Sequence, residues 1–191
     1  MTLDALHDPG DATEQTRAPT TLGGPEVQLL DLLGARLHCE QTGVRLYDAL
    51  IAKLDEEGEL AGGPTRAELV EIRNEELVHV RMLDAMITDL GGEPATVTPA
   101  AMREMIASRG IGDVVSDPAS SVLDALEVMV VAELADHEQW VALVELAREL
   151  RRDKLARSFL TAQSVEHTHL SKMRAWISAG RAAQRMEGAL Q

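Results

Sequence analysis

The chain has 191 residues, 45% of them hydrophobic, which is enough for one domain with a substantial core. Its 32 acidic residues outnumber the 18 basic ones and give a formal net charge of −14, which argues against nucleic acid as a partner because phosphates would be repelled. The lone cysteine, Cys39, excludes an internal disulfide and a CxxC metal knuckle.

The first residues contain no basic segment followed by an apolar run, so we expect no signal peptide. No apolar stretch approaches the ~18 residues that a membrane-spanning helix needs. We therefore predict a cytoplasmic protein with no membrane partner.

Residues 1–24 mix Asp, Thr, Gly and Pro without hydrophobic periodicity, which predicts a flexible N-terminal tail. The main domain is predicted to span residues 25–180. Its first helix, about 26–55, carries an apolar stripe in which Glu40 takes the place of an apolar residue.

Thr65 and Glu68 form a capping box that starts a second helix, which runs to Leu90. Residues 91–119 then make a long connection with one short amphipathic piece near 99–108. A connection of this length lets the chain cross the bundle from end to end.

Ser120 or Ser121 caps a third helix that runs to about residue 150, where Glu133 again lies on the apolar stripe. A break near 151–153 separates it from a fourth helix, predicted to end near Gly180. Residues 181–191 are left as a C-terminal extension.

Glu-x-x-His occurs twice on these apolar stripes, at Glu76–His79 and at Glu166–His169. Residues three apart lie on one face of a helix, so each pair can direct a carboxylate and an imidazole at one point. A buried carboxylate is neutralised, paired or bound to a metal. Two such helices favour the metal interpretation.

The two halves of the chain repeat this pattern. Glu40 and Glu133 are 93 residues apart, as are Tyr47 and Trp140, and Glu76 and Glu166 are 90 apart. We therefore predict an all-α bundle of two helical hairpins with approximate two-fold symmetry, joined by the long crossover.

The repeat predicts a buried cluster at mid-bundle. Four carboxylates carry −4 and two divalent cations carry +4, so such a cluster would be neutral. Oxygen and imidazole ligands suit iron or manganese and do not exclude zinc. The predicted ligands are Glu40, Glu76, His79, Glu133, Glu166 and His169.

One Glu per helix with paired Glu-x-x-His motifs resembles the ferritin-like superfamily, in particular bacterioferritin and rubrerythrin, over residues 26–180. The resemblance implies a four-helix bundle that binds two iron ions. By resemblance, Glu76 and Glu166 bridge the metals and Glu40 and Glu133 are terminal ligands. It also implies that His79 and His169 bind one metal each and that Tyr47 has a redox or hydrogen-bonding role beside the site.

The same resemblance implies a ferroxidase or peroxidase in iron handling or oxidative-stress defence, using O₂ or peroxide. Leu77 follows Glu76 where bacterioferritin carries its haem-ligating Met, so we expect no haem. With one cysteine and no rubredoxin-type domain, the electron donor should be external. We also expect a homo-oligomer, with a dimer favoured.

Three further residues lie close to the predicted ligands in the sequence. Glu75 precedes Glu76, where relatives carry an Asp that orients a His across the site. Asp136 lies near the position of an extra carboxylate ligand in rubrerythrin, although we expect it to face solvent. His137 is either a partner of the ligands or a core histidine.

Two alternatives stay open. The segment from Glu40 to Tyr47 is similar to the first helix of demethoxyubiquinone hydroxylase, which favours an oxygenase or hydroxylase acting on an organic substrate. Alternatively, the bundle is a non-catalytic scaffold or assembly subunit.

Overall fold

The computed structural model describes residues 24–189, and within them the structure is helical with no strand. Four long helices form the bundle and two short ones lie in the crossover. In chain order they are α1 (Gly24–Glu57), α2 (Arg66–Asp89), α3 (Pro99–Ala107), α4 (Arg109–Ser116), α5 (Val122–Glu149) and α6 (Asp153–Gly188). The predicted tail, 1–24, lies outside the described residues except for Gly24.

The ends of the long helices follow from local chemistry. Capping boxes at Thr65 and Ser121 satisfy the first backbone N–H groups of α2 and α5. Gly91, with φ +81°, ends α2 in the left-handed region. Arg151 adopts φ 55° between α5 and α6, at the predicted break.

Two predictions of helix extent are wrong. The connection contains a second short helix, α4, which has no side-chain cap and is interrupted in sequence by Gly110 and Gly112. The last helix does not end near Gly180 but continues to Gly188. Gly180 serves packing instead, because a Cβ there would lie 3.0 Å from Leu60 and 3.1 Å from Leu123.

The long helices pair as two antiparallel hairpins, α1 with α2 and α5 with α6, and α1 also packs against α5. Pairs of side-chain contacts fix the directions. Asp48 and Asp55 of α1 bind Arg73 and Arg66 of α2, in reverse order along the chain. Glu40 and Tyr47 of α1 bind Trp140 and Glu133 of α5, again in reverse order. Since α1 is antiparallel to both α2 and α5, the latter two run in the same direction. The crossover therefore has to span the length of the bundle, as the sequence predicts.

The core consists of two hydrophobic clusters, one toward each end of the bundle. The first includes Leu50, Leu69, Leu126 and Met173, and the second is built around Leu33, Leu83, Trp140 and Phe159. Between these clusters lies a band of buried charged residues. Within the described residues, no helix is long and apolar enough to cross a membrane.

Lys53 connects the end of the crossover to α1. Its side chain is only 8% exposed, and its ammonium donates to the carbonyls of Asp117 (2.9 Å) and Ser120 (2.5 Å). Glu57 of the same helix accepts from the backbone N–H of Val122 at 3.0 Å. These contacts fix the start of α5 relative to α1. They therefore also fix the position of Glu133 along the bundle axis.

We expect Lys53→Met to lower the free energy of unfolding by about 1–3 kcal/mol, because it leaves two part-buried carbonyls without donors. Urea denaturation followed by circular dichroism measures the change. Lys154→Met, at an exposed position, is the matched control and should stay within about 0.5 kcal/mol of the native chain. Equal stabilities for the two variants would show that Lys53 does not anchor the crossover.

Candidate metal centre

The six residues predicted as metal ligands come together between the two hydrophobic clusters. Each is at most 5% exposed, and Glu40, Glu166 and His169 are 0% exposed. Each of the four long helices contributes: Glu40 from α1, Glu76 and His79 from α2, Glu133 from α5, and Glu166 and His169 from α6.

Ligand atoms in this cluster form two groups in which all members lie within 4.8 Å of one another. One contains Glu40, Glu76, His79 and Glu166, and the other contains Glu76, Glu133 and His169. Glu76 belongs to both. Glu166 also faces both imidazoles, with Oε1 2.8 Å from His79 Nδ1 and Oε2 3.0 Å from His169 Nδ1. The geometry therefore places Glu76 and Glu166 between the two halves.

Within residues 24–189, several buried atoms at the centre lack a hydrogen-bond partner. They are Glu40 Oε2, His79 Nδ1, Glu133 Oε2 and Glu166 Oε1. His79 Nδ1 and Glu166 Oε1 lie 2.8 Å apart, but without the angle of a hydrogen bond. Unsatisfied acceptors that face one another are costly unless a cation lies between them. The donor set thus fits divalent metal.

Two aromatic side chains hold the outer Glu residues across the helix pair. Tyr47 of α1 donates its hydroxyl to Glu133 Oε1 of α5 at 2.5 Å. Trp140 of α5 donates its indole N–H to Glu40 Oε1 of α1 at 3.1 Å. Each carboxylate keeps its other oxygen free for the centre. Trp140 is the counterpart of Tyr47 in the sequence repeat.

Arg36 is a residue that the sequence analysis missed. It is 0% exposed, and its Nε donates to Glu40 Oε1 at 3.1 Å. Its other nitrogens contact the backbone carbonyl of Asp136, the Asp136 carboxylate and Gln139, while the guanidinium lies 5.4 Å from the Trp140 ring centroid. A signal was present, because Arg36 lies four residues before Glu40 on the same helix face.

Glu75, Asp136 and His137, which lie close to the ligands in the sequence, have different surroundings. Glu75 accepts from His169 Nε2 at 2.7 Å while remaining half-exposed. We expected Asp136 to face solvent, and this is wrong: it pairs with Arg36 and is 13% exposed. His137 lies outside both ligand groups, with its ring 5.9 Å from that of exposed His167.

Gly43 also shapes the site, three residues after Glu40. A Cβ at this position would lie 3.0 Å from Glu76 Oε2 and 3.3 Å from Glu76 Cδ. The missing side chain therefore gives the shared carboxylate its space. Sequence alone offered no reason to expect this, because the contact is between α1 and α2.

Proton affinities in the cluster are strongly perturbed. Burial and the nearby Glu166 raise the pKa of Glu133 to about 7. Burial disfavours the charged form of His79, but its contacts with Glu166 and Glu40 outweigh burial and raise its pKa to about 9. Burial acts in the same way on His169, and Glu166 and Glu133 raise the pKa of His169 to about 9. Burial opposes ionisation of Glu166, yet the two imidazoles beside it, those of His169 and His79, lower its pKa to about 2. The pKa of Tyr47 is raised well above 10 by burial and by Glu133, so it stays a donor.

The comparisons with known proteins agree with this architecture. Four long helices with inward-facing Glu and Glu-x-x-His residues define a ferritin-like carboxylate bundle. The chain resembles a solved structure from Bacillus anthracis str. Ames described as "ferritin like, diiron-carboxylate proteins". The match has a TM-score of 0.62 and 17% identity, and covers 82% of this chain and 99% of that one.

No protein-family model matches the chain, and no curated protein matches it. At 17% identity the structural likeness establishes the fold and nothing finer. It confirms the predicted ferritin-like four-helix bundle, and the buried carboxylate and imidazole cluster is able to hold metal.

We expect the metal-free protein to lose thermal stability as the pH rises from about 5 to about 9. The folded chain binds protons more tightly than the unfolded chain at Glu133, His79 and His169. Their contribution to the free energy of unfolding is therefore complete below the ordinary pKa values of 4.5 and 6.5. It is lost as the pH rises through about 7 for Glu133 and about 9 for the two histidines. Glu166 acts in the opposite direction, but only as the pH falls from 4.5 through about 2.

Melting temperatures measured in the presence of a chelator test this expectation. Glu133→Gln removes one titrating group, so its curve should be flatter around pH 7 than that of the native chain. Identical slopes for the two proteins, or a native melting temperature that rises over this range, would contradict the assigned proton affinities.

Proposed function

We propose that the protein is a non-haem di-iron carboxylate protein that reacts with O₂ or peroxide, acting as a ferroxidase or peroxidase in iron handling or oxidative-stress defence. The observation that carries the proposal is the pair of ligand groups sharing Glu76, with unpartnered buried oxygens facing inward. The fold alone supports no activity, because many functions occur on one fold.

Charge supports a load of two divalent cations. The four buried carboxylates carry −4, and two neutral imidazoles add nothing, so two M²⁺ ions make the cluster neutral. The guanidinium of Arg36 does not change this sum, because it is paired with Asp136. Oxygen and nitrogen donors without thiolate suit iron or manganese, and zinc is compatible.

Each ligand has a proposed role. Glu76 and Glu166 would be shared between the two metals, since each faces both halves of the cluster. Glu40 with His79, and Glu133 with His169, would complete the two halves. Tyr47 and Trp140 hold the two outer carboxylates so that one oxygen of each remains free for metal.

Bound iron would supply the redox chemistry and act as a Lewis acid. The protein provides the surroundings. The two hydrophobic clusters border the ligands and lower the local dielectric constant, which strengthens the charge interactions of the ligands. Tyr47 keeps its proton at the Glu133 carboxylate, and Glu75 fixes the orientation of the His169 ring through Nε2. Reducing equivalents would come from an external donor.

An anaerobic Fe²⁺ titration followed by addition of O₂ tests the function. We expect the native chain to bind two Fe²⁺ and to oxidise them. Glu76→Ala should lose binding of the pair, because it removes the ligand shared by both groups. His169→Ala should lose the pair as well, and bound iron and ferric absorbance are the quantities to measure.

His167→Ala is the matched control, since it removes a histidine from the same helix segment at an exposed position. It should bind two Fe²⁺ like the native chain. If Glu76→Ala or His169→Ala still bound two metals, the assignment of the site would be wrong. Iron uptake far beyond two per chain would indicate storage in place of catalysis.

A second candidate function is oxidation of an organic substrate, and a cavity beside the metal centre favours it. The cavity measures about 170 Å³ and lies between α1, the crossover helices and α5. Its wall is mainly apolar, with Leu46, Ile111, Met129 and Ala132, while Glu76 and Glu133 lie at its inner end. A small hydrophobic molecule in this cavity would adjoin the ligands.

Phenol provides a probe of this cavity, because an apolar cavity of comparable size holds a benzene-sized ligand. We expect phenol to bind the native chain and Ala132→Phe to weaken its binding by about tenfold or more, as the added ring fills the space. Calorimetry measures the affinity. Ala182→Phe, at an exposed position of α6, should leave it unchanged. Equal phenol affinity in all three proteins would exclude the cavity as a binding site.

The cytoplasmic location and the homodimer stay predictions.

A further inference from the structure

We propose that the two halves of the metal centre are unequal, and that Arg36 and Glu75 make the Glu133–His169 half the tighter one. Divalent cations would then load in order, first beside Glu133 and His169 and afterwards beside Glu40 and His79. This inference rests on the proposed function, and it assigns positioning roles to two residues outside the ligand set.

The sequence repeat provides the reference for the comparison. In both halves an outer Glu accepts a hydrogen bond from an aromatic residue of the opposite hairpin, Tyr47 for Glu133 and Trp140 for Glu40. In both halves a histidine presents Nδ1 to the shared Glu166. The two halves therefore share this plan, and they also differ in the charged residues around these pairs.

Arg36 is the first difference. Its Nε lies 3.1 Å from Glu40 Oε1, the same oxygen that accepts from Trp140, so this carboxylate has two donors and one of them is cationic. The residue that corresponds to Arg36 in the other half, 93 positions later, is Met129, which is uncharged and 1% exposed. Among the described residues, Glu133 consequently receives no guanidinium from the position that matches Arg36.

Glu75 is the second difference. Its carboxylate lies 2.7 Å from Nε2 of His169, on the side of the ring away from the metal centre. The corresponding residue behind His79, 90 positions later, is Val165, which carries no charge. A carboxylate behind a ligating histidine fixes the ring and raises its basicity. His169 therefore has a carboxylate behind its ring, whereas the matching position, Val165, provides none for His79.

Both differences act in the same direction. The Arg36 guanidinium donates directly to Glu40 and reduces the charge that Glu40 offers a metal ion, whereas Asp136, which balances the charge of Arg36, belongs to neither ligand group. An anion behind His169 strengthens that ligand. The half with Glu133 and His169 should therefore hold a resident ion, whereas the half with Glu40 and His79 should hold an ion that exchanges more readily. A ferroxidase could use such a position for iron that arrives and leaves.

Mn²⁺ titration of the metal-free full-length chain tests the inference without turnover. Calorimetry gives the two affinities, and electron paramagnetic resonance distinguishes a single Mn²⁺ from a coupled pair. We expect two steps separated by about tenfold or more, with the uncoupled signal of one Mn²⁺ dominating up to the first equivalent. Two equal affinities, or a coupled pair from the first addition, would overturn the inference.

Variants then assign the difference to the named residues. The double variant Arg36→Met/Asp136→Asn places in α1 the residue type of Met129 and leaves no unpaired carboxylate at position 136. It should tighten the second Mn²⁺ binding step by about tenfold and leave the first step unchanged. Glu75→Gln should weaken the first step by about tenfold. Its side chain is 42% exposed, so this variant should fold even if the buried double variant does not.

Two further variants complete the comparison. Arg36→Lys retains the cation, so it should keep the second step weak, which a purely steric role for Arg36 would not predict. Arg45→Met, at an exposed position of the same helix, should alter neither step. Unchanged steps in both the double variant and Glu75→Gln would overturn the assignment. Absence of any Mn²⁺ binding would instead contradict the proposed function itself.

Discussion

The compensation of buried negative charge is the constraint on which the rest of the structure depends. Four carboxylates with at most 5% exposure lie between two hydrophobic clusters, where each isolated charge would cost several kcal/mol. The chain offsets this cost through neighbouring imidazoles, two aromatic donors and a buried guanidinium. Within residues 24–189 several inward oxygens lack a hydrogen-bond partner, and a cation between them would satisfy them. The cluster is therefore able to hold metal.

The same contacts join the site to the packing of the helices. Tyr47 and Trp140 are fully buried members of the two hydrophobic clusters, and each donates to a carboxylate on the opposite helix. A shift of α1 along α5 would break both hydrogen bonds at once. Lys53 fixes the same pair of helices near the crossover end. The position of the outer ligands is thus determined by tertiary contacts at mid-bundle and at one end.

The crossover has a functional consequence as well as a topological one. Because α2 and α5 run in the same direction, the connection must travel the length of the bundle, and α3 and α4 pack against α1 as they do so. Their residues close one side of the cavity that reaches Glu76 and Glu133. The connection therefore borders the approach to the carboxylate cluster, a position that its irregular composition did not suggest.

The sequence by itself determined the helix class, the order of the four long helices and the faces that carry Glu and His, because a polar residue on an apolar stripe is visible in the periodicity. It also contained the repeat that relates Tyr47 to Trp140. Only the tertiary structure decided these partners across helices: Arg36 with Asp136, Trp140 with Glu40, and Gly43 against Glu76. The physical reason is that periodicity assigns a residue to a face, whereas its partner depends on the height and rotation at which two helices pack. Helix α4 escaped prediction for a related reason, since its short sequence with two glycines is helical only where α1 and α5 support it.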